Sequence, residues 1–328
     1  SRHTLRIRIA PAWSVMSVSH RELRRNSTLL SLIFLLLLAV VACTLSAPAF
    51  TFASTSAQLA AESHSPTLSI TVLDVGDGDA ILITTSQGHA ALIDGGPRKT
   101  QVRDVLKERG IARLDLVVNT HPHADHLTGL PAVLDGFPVG QMIDSGTVHY
   151  SKTYESYLAI IGQKGIPLAT PRDITRFRLG PARLDVLRPS VYFASERSDA
   201  SPVNDSTPVI EISCGAFSAL LTGDATAATE LQLIARGWLS PVTLLKVAHH
   251  GSDTSTSQPF LDVVKPQIAV ISVGTGYAGL PSDAVIGRLK ECGAIVYRTD
   301  LHGNVTVSTD GRTWKVTTER QPDASPDA

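Results

Sequence analysis

The 328-residue sequence is poor in residues that staple a chain or stack on a partner. It has three cysteines, Cys43, Cys214 and Cys292. Cys214 lies in the apolar run "VIEISCGAF" and Cys292 follows a helical pattern, so both read as buried thiols. A disulfide between them stays open, because spacing alone does not decide it. Aromatic residues make up 5% of the chain, too few for a stacking-rich nucleic-acid surface. There is a single long apolar run, so this sequence does not encode a multi-helix membrane pore. Positive charge is scarce outside the N-terminus. Residues 1–43 hold six arginines and one glutamate, and the remainder carries 23 basic and 29 acidic residues, a formal −6. Such a body is poor at gripping a phosphate backbone through lysine and arginine alone.

What is present suits a globular protein with a real core: 43% hydrophobic and 18% charged residues. The length fits one large domain or two small ones.

The apolar run, "LLSLIFLLLLAVVAC" over residues 29–43, follows the basic "HRELRR" and precedes the small-residue "SAPAFTFAS". It is shorter than the roughly 20 residues of a spanning helix. The order basic, apolar, small describes a secretory signal or a retained membrane anchor over residues 1–49. Cleavage is expected after Ala49 or Ala53. "VVAC" also resembles a bacterial lipobox that would lipidate Cys43. The chain opens on Ser1, and its first methionine is Met16, so residues 1–15 read as lying before the true start. Residues 50–66 read as a linker and residues 319–328 as a disordered tail. The expected location is extracytoplasmic, by bacterial-type export, with membrane contact only through the leader.

The folded part, residues 67–318, alternates strand and helix patterns. "LSITVLDV", "AILITT" and "HAALIDGG" are strand-like. "TQVRDVLKERG" has helical spacing. "LDLVVNT" is a buried strand that runs straight into "HPHADH". A helix is expected around Pro131 and another over 153–164. Strands are expected at 174–179, 183–188, 208–213 and 217–221. Helices then follow in "ATAATELQLIARG", "SQPFLDVV" and "SDAVIGRLKECG", with strands "VTLLKVA", "QIAVISV", "AIVYRT", "GNVTVST" and "TWKVTT". Two β-rich halves that each collect helices suit an α+β, four-layer αββα sandwich.

The densest chemistry is "NTHPHADHLTG", which packs His121, His123, Asp125 and His126 into six positions after a hydrophobic strand. Imidazole and carboxylate suit zinc and similar ions, and one tight loop can serve two metal positions. "ALLTGDA" ends a second buried strand at Asp224, which could bridge two ions or cap the following helix. "KVAHHGS" ends a third strand at His249 and His250, followed by a glycine that permits close backbone approach.

These residues resemble the metallo-β-lactamase fold superfamily through the HxHxDH form of their motif. More narrowly, the chain resembles the C-terminal hydrolase domain of ComEC-like competence DNA-uptake proteins. "LDVGDGDAILI", "LIDGG", "LDLVVNTHPHADHLTGL", "NDSTPVI", "ALLTGDA", "LLKVAHHGSDTSTS" and "YRTDLHGNVTV" match that group in order and spacing over about residues 68–309. The resemblance implies a two-metal centre, most simply two Zn2+, with Mn2+ as the alternative. It places His121 and His123 on the first ion, and Asp125, His126 and one histidine of the "HHG" turn on the second. His250 is favoured as that ligand, with His249 as the proton-donating group. Asp224 would bridge. Asp94 would brace the histidine loop, and Asp79 would face the site.

Three departures stand out. Many superfamily members give the first ion a further histidine, but none lies between His149 and His249. Asn204 and Asp205 fall where it would be, so water or Asp205 would complete that ion. The first turn carries Asp77 where the group has glutamine. Leu280 stands where a histidine is usual.

The expected activity is metal-dependent hydrolysis of phosphodiester bonds, with an anionic substrate and any DNA contact confined to the metal edge. Asp125 or Asp224 would orient the attacking water. One alternative is hydrolysis of a small ester, lactone or β-lactam. Another is a binding module whose metals are structural. Nothing in the sequence names an obligate protein partner.

Overall fold

The computed structural model describes residues 65–188, 203–276 and 279–321. The leader and most of the linker, at residues 1–64, lie outside the described residues, as do residues 322–328 of the tail expected over 319–328. Glu319 and Arg320 are held by hydrogen bonds to Asn304 and His302. No helix among the described residues is long and apolar enough to cross a membrane.

The first half of the fold runs β1 (Leu68–Val72), β2 (Ile81–Thr85), β3 (Ala90–Ile93), α1 (Gln101–Glu108), β4 (Leu114–Asn119), α2 (Ala124–Leu127), α3 (Leu130–Gly136), β5 (Val139–Asp144), α4 (Lys152–Lys164) and β6 (Leu168–Ala169). The second half runs β7 (Asp173–Leu179), β8 (Ala182–Arg188), β9 (Val209–Cys214), β10 (Phe217–Leu221), α5 (Ala227–Ala235), β11 (Leu244–Lys246), α6 (Gln258–Val264), β12 (Ile268–Ile271), α7 (Asp283–Glu291) and β13 (Ile295–Arg298). A short α8 (Thr299–His302) then leads into β14 (Val305–Thr309) and β15 (Trp314–Thr318), which return to the first sheet.

Among the described residues, one sheet has the order β15-β14-β1-β2-β3-β4-β5-β6 and the other β13-β12-β11-β10-β9-β8-β7. The strands in the middle of both sheets are apolar on both faces because both faces are covered. Ile83, Ile93, Leu116 and Val118 meet Leu184, Ile212, Leu221 and Val270 between the sheets. Leu82, Leu92 and Val117 turn outward against Leu106, Leu130 and Tyr157 of the first helical layer. Leu220, Leu245 and Ala269 do the same against Leu233, Phe260 and Val285 of the second. The four-layer αββα sandwich is therefore what the chain forms.

Helix ends follow local chemistry. Ser151 accepts from the Tyr154 backbone N–H at the start of α4, and Gly165 closes that helix at φ 59°. Ser282 caps α7 by accepting from Val285 N–H. Pro131 sits in the first turn of α3, where its missing N–H costs nothing.

The parallel runs β3-β4-β5 and β10-β11-β12-β13 aim their carboxyl ends at one edge. Open α/β sheets bind ligands beyond such ends. Cys214 is buried and Cys292 half-buried, and both are free thiols, which closes the disulfide option.

Candidate metal centre

Four strand ends deliver the site. Asp94 follows β3, His121 follows β4, Asp224 follows β10, and His249 and His250 follow β11. Asp94, His249 and His250 hold positive φ of 61°, 50° and 53°, a conformation non-glycine residues seldom adopt. The turn carrying Asp79 approaches the histidine loop so closely that a Cβ at Gly78 would collide with the Asp125 carbonyl. Only glycine fits there.

The geometry gathers two groups around Asp224. Asp125, His126, Asp224 and His250 present ligand atoms within 4.8 Å of one another, and so do His121, His123 and Asp224. Nε2 of His121 is 3.5 Å from Asp224 Oδ2 and 3.1 Å from His123 Nδ1. Nε2 of His126 is 3.3 Å from Asp224 Oδ1. Nε2 of His250 is 3.6 Å from that same oxygen and 3.3 Å from Asp125 Oδ2. One carboxylate thus faces both groups, one oxygen to each. Asp224 stands between the two groups and does not cap α5, whose N-cap residue is Thr226.

The ring orientations follow from what lies behind them. His126 Nδ1 is 2.9 Å from Asp94 Oδ2. A carboxylate only accepts, so Nδ1 carries the proton and Nε2 faces the site. Thr120 donates its hydroxyl to the same Asp94 oxygen at 2.7 Å and its backbone N–H to the other at 2.8 Å. That hydroxyl proton being engaged, Thr120 Oγ1 accepts from His121 Nδ1 at 3.1 Å. Asp94 therefore sets two imidazoles, one directly and one through Thr120. His250 Nδ1 donates to the Ser272 carbonyl at 2.9 Å, which leaves its Nε2 on the site.

The electrostatics suit a cation. Burial works against charge on His126, but Asp224, Asp125 and Asp94 outweigh it and hold its pKa well above the usual histidine value. Burial, reinforced by His126, holds His121 well below that value. Burial also resists charge on Asp224, yet His126, His250 and His121 keep it well below the carboxylate range. Nε2 of His126 and Oδ1 of Asp224 are buried without a hydrogen-bond partner. Buried polar atoms are normally satisfied. A buried imidazole nitrogen and carboxylate oxygen left in this way, among the other imidazole and carboxylate atoms of the two groups, fit divalent ions of the zinc or manganese type.

His249 lies at the rim. Its Nε2 is 3.8 Å from Asp224 Oδ2 and 3.5 Å from the Asn204 amide nitrogen. Its Nδ1 meets Thr254 Oγ1 at 3.2 Å. His249 stands in neither ligand group, and His250 does. Asn204 is buried behind it on a short 3-10 turn.

Asp205, offered by the sequence together with water as a way to complete the first ion, stands in no ligand group among the described residues. Its Oδ1 accepts from Thr226 Oγ1 at 2.5 Å and its carbonyl from Thr229 Oγ1 at 3.0 Å. Two threonine hydroxyls at the start of α5 thus engage Asp205. Asp77, the departure in the first turn, accepts from Gly274 N–H at 3.0 Å and ties two loops together. Leu280 packs against the second apolar layer.

Three contributors were not singled out in the sequence: Thr120, Ser272 and Lys246. Thr120 and Ser272 carry no distinguishing pattern. Lys246 does, because it interrupts the apolar run "TLLKVA" at a position that proves fully buried.

A family model described as the metallo-beta-lactamase superfamily matches residues 73–275, more than half of the chain. The chain is similar to recombination protein 2 of Haemophilus influenzae, 30% identical over 251 residues that make up 74% of this chain and 29% of that protein. It is similar to competence protein ComA of Neisseria gonorrhoeae, 31% identical over 241 residues, 71% of this chain and 31% of that protein. The chain spans about a third of the length of the curated relatives it matches. Among solved structures, the metallo-β-lactamase fold protein YhfI of Bacillus subtilis shares the fold at TM-score 0.50 and 11% identity, covering 74% of this chain and 99% of that one. With this match over residues 73–275, the HxHxDH loop and the two-sheet architecture around it, the chain belongs to the metallo-β-lactamase superfamily.

Proposed function

We propose that this chain is an exported hydrolase with a two-metal centre that cleaves phosphodiester bonds. The observation that carries the reading is Asp224, whose two oxygens face two separate imidazole groups. His121, His123 and Asp224 would hold one ion, and Asp125, His126, His250 and Asp224 the other. Zinc is the simplest occupant, with manganese the alternative. Divalent ions held there supply Lewis acidity, which polarises a phosphoryl or carbonyl oxygen and acidifies water.

The chain's own residues do the rest. Asp125 is the ligand-group carboxylate nearest solvent, with 19% side-chain exposure, and is placed to orient an attacking water. His249, outside both ligand groups, is partly open to solvent, with 29% side-chain exposure. Burial lowers its pKa and Asp224 only partly opposes this. It is therefore neutral at pH 7 and takes up a proton before it can deliver one to a leaving group. Asn204 fixes its ring from behind.

The phosphodiester substrate is supported by similarity to proteins named for competence and recombination. The acidic body confines DNA contact to the metal edge. The apolar run at 29–43 with its basic flank supports export. The test uses metal-reconstituted protein against bis-(p-nitrophenyl) phosphate, single-stranded DNA and a chromogenic β-lactam, with His121→Ala as control. Metal-dependent cleavage of the first two supports the reading. Cleavage of the β-lactam alone moves the protein to the small-ester alternative. No cleavage with metal bound leaves a metal-stabilised binding module.

A further inference from the structure

Lys246 is the one lysine or arginine in the buried class among the described residues. Its Nζ lies 2.9 Å from Asp79 Oδ2, with 0% and 1% of the two side chains exposed. It also donates to the Val247 carbonyl at 2.9 Å. Burying such a pair costs desolvation that its attraction seldom exceeds, and apolar residues of equal volume are often as stable or better. Stability alone is thus a poor reason for a lysine inside β11.

What the pair touches gives a better one. Ser272 donates its hydroxyl to Asp79 Oδ1. With that proton engaged, Ser272 Oγ accepts from His250 Nδ1 at 3.2 Å, beside the carbonyl bond at 2.9 Å. The chain of contacts runs Lys246, Asp79, Ser272, His250, and ends with His250 Nε2 facing Asp125 and Asp224. It mirrors Asp94, Thr120 and His121 on the other side. It differs in having a buried lysine at its far end. Burial resists ionisation of Asp79, but Lys246, His250 and His126 together hold the carboxyl below its usual value.

We propose that Lys246 is a positioning residue: through Asp79 and Ser272 it locks the His250 ring in the orientation that presents Nε2 to the second ion. This rests on the reading that Asp125, His126, Asp224 and His250 hold a metal. Partners behind metal ligands typically contribute about 10–100-fold in metal affinity.

The test measures Co2+ binding to the full chain by calorimetry and by the visible spectrum of the bound ion. The variants are Lys246→Met, Asp79→Leu with Lys246→Met, and Ser272→Ala. The double variant removes both buried charges, so its melting temperature should return toward wild type after the loss in Lys246→Met. The proposal expects it to keep the first Co2+ and to bind the second at least about tenfold more weakly. A double variant that binds both ions with wild-type affinity and spectrum would overturn it, leaving the pair structural only. Should the double variant not fold, Ser272→Ala decides: weakened second-ion binding supports the relay, and unchanged binding overturns it. Wild type that binds no second Co2+ instead overturns the two-metal reading itself.

Discussion

Asp94 orients imidazoles of both groups, so its loss should be felt at both ions. Asp94→Ala is expected to lower affinity at each by about 10–100-fold. Thr120→Val removes only the link to His121 and should weaken the first ion alone. Metal titration of the two variants separates these outcomes, and equal effects of both would contradict the relay. Protonation gives a second check. Stripped of metal, the chain keeps a proton on His126, because its surrounding carboxylates raise its pKa well above the usual value. Metal binding needs Nε2 bare, so it releases that proton, and apparent affinity should rise with pH up to the folded pKa of His126. Calorimetry in buffers of different ionisation enthalpy reads the release directly, and buffer-independent heats would contradict it. At this scale the sequence shows the candidate ligands well: His121, Asp224 and His250 follow strand ends closely, and His123, Asp125 and His126 lie at and in the short helix α2 that comes next after β4. The hydrogen bonds of Asp205 to Thr226 and Thr229 are not legible in the sequence, because proximity along the chain does not show which hydroxyls meet it. Ser272 and Thr120 were invisible because a hydroxyl's role depends on which atoms lie behind it.

Elements are placed by the covering of their faces. β1 to β4 and β8 to β12 are legible because burial on both faces writes itself as apolar runs, and β14 and the more exposed edge strands β7, β13 and β15 because of their β-branched and aromatic residues. β5 is not. Its sequence, VGQMID, has few β-branched residues and a glycine, and its strand character comes from parallel pairing between β4 and β6. α8 was missed for the opposite reason: four residues are too few to show a period. Close approach between loops was only partly legible. A Cβ at Gly129 would collide with the Gly95 carbonyl, which joins the glycine pair after β3 to the helix after the histidine loop. Gly129→Ala should destabilise the fold by about 1–3 kcal/mol through overpacking. Leu116→Ala, between the sheets, should cost about 2–5 kcal/mol by leaving a cavity. Urea denaturation measures both, and a neutral Gly129→Ala would mean that the two loops can separate freely.

Across the whole molecule, the two sheets hold site residues far apart in sequence at one edge, from Asp79 to Ser272. The formal −6 outside residues 1–43 means that the protein surface itself offers phosphate little. Affinity for single-stranded DNA should therefore depend on metal, and its salt dependence should be shallow, because few lysine and arginine contacts release counterions. A steep salt slope in metal-free protein would reveal a basic track that the charge distribution gives no reason to expect. The two-metal centre is the claim on which the proposed chemistry depends, and metal content tests it most directly. Full-length protein, reconstituted with zinc and dialysed, should retain about two ions per chain, and Asp224→Ala should retain fewer than one. Wild-type protein that itself retains fewer than one ion per chain would contradict the two-metal centre.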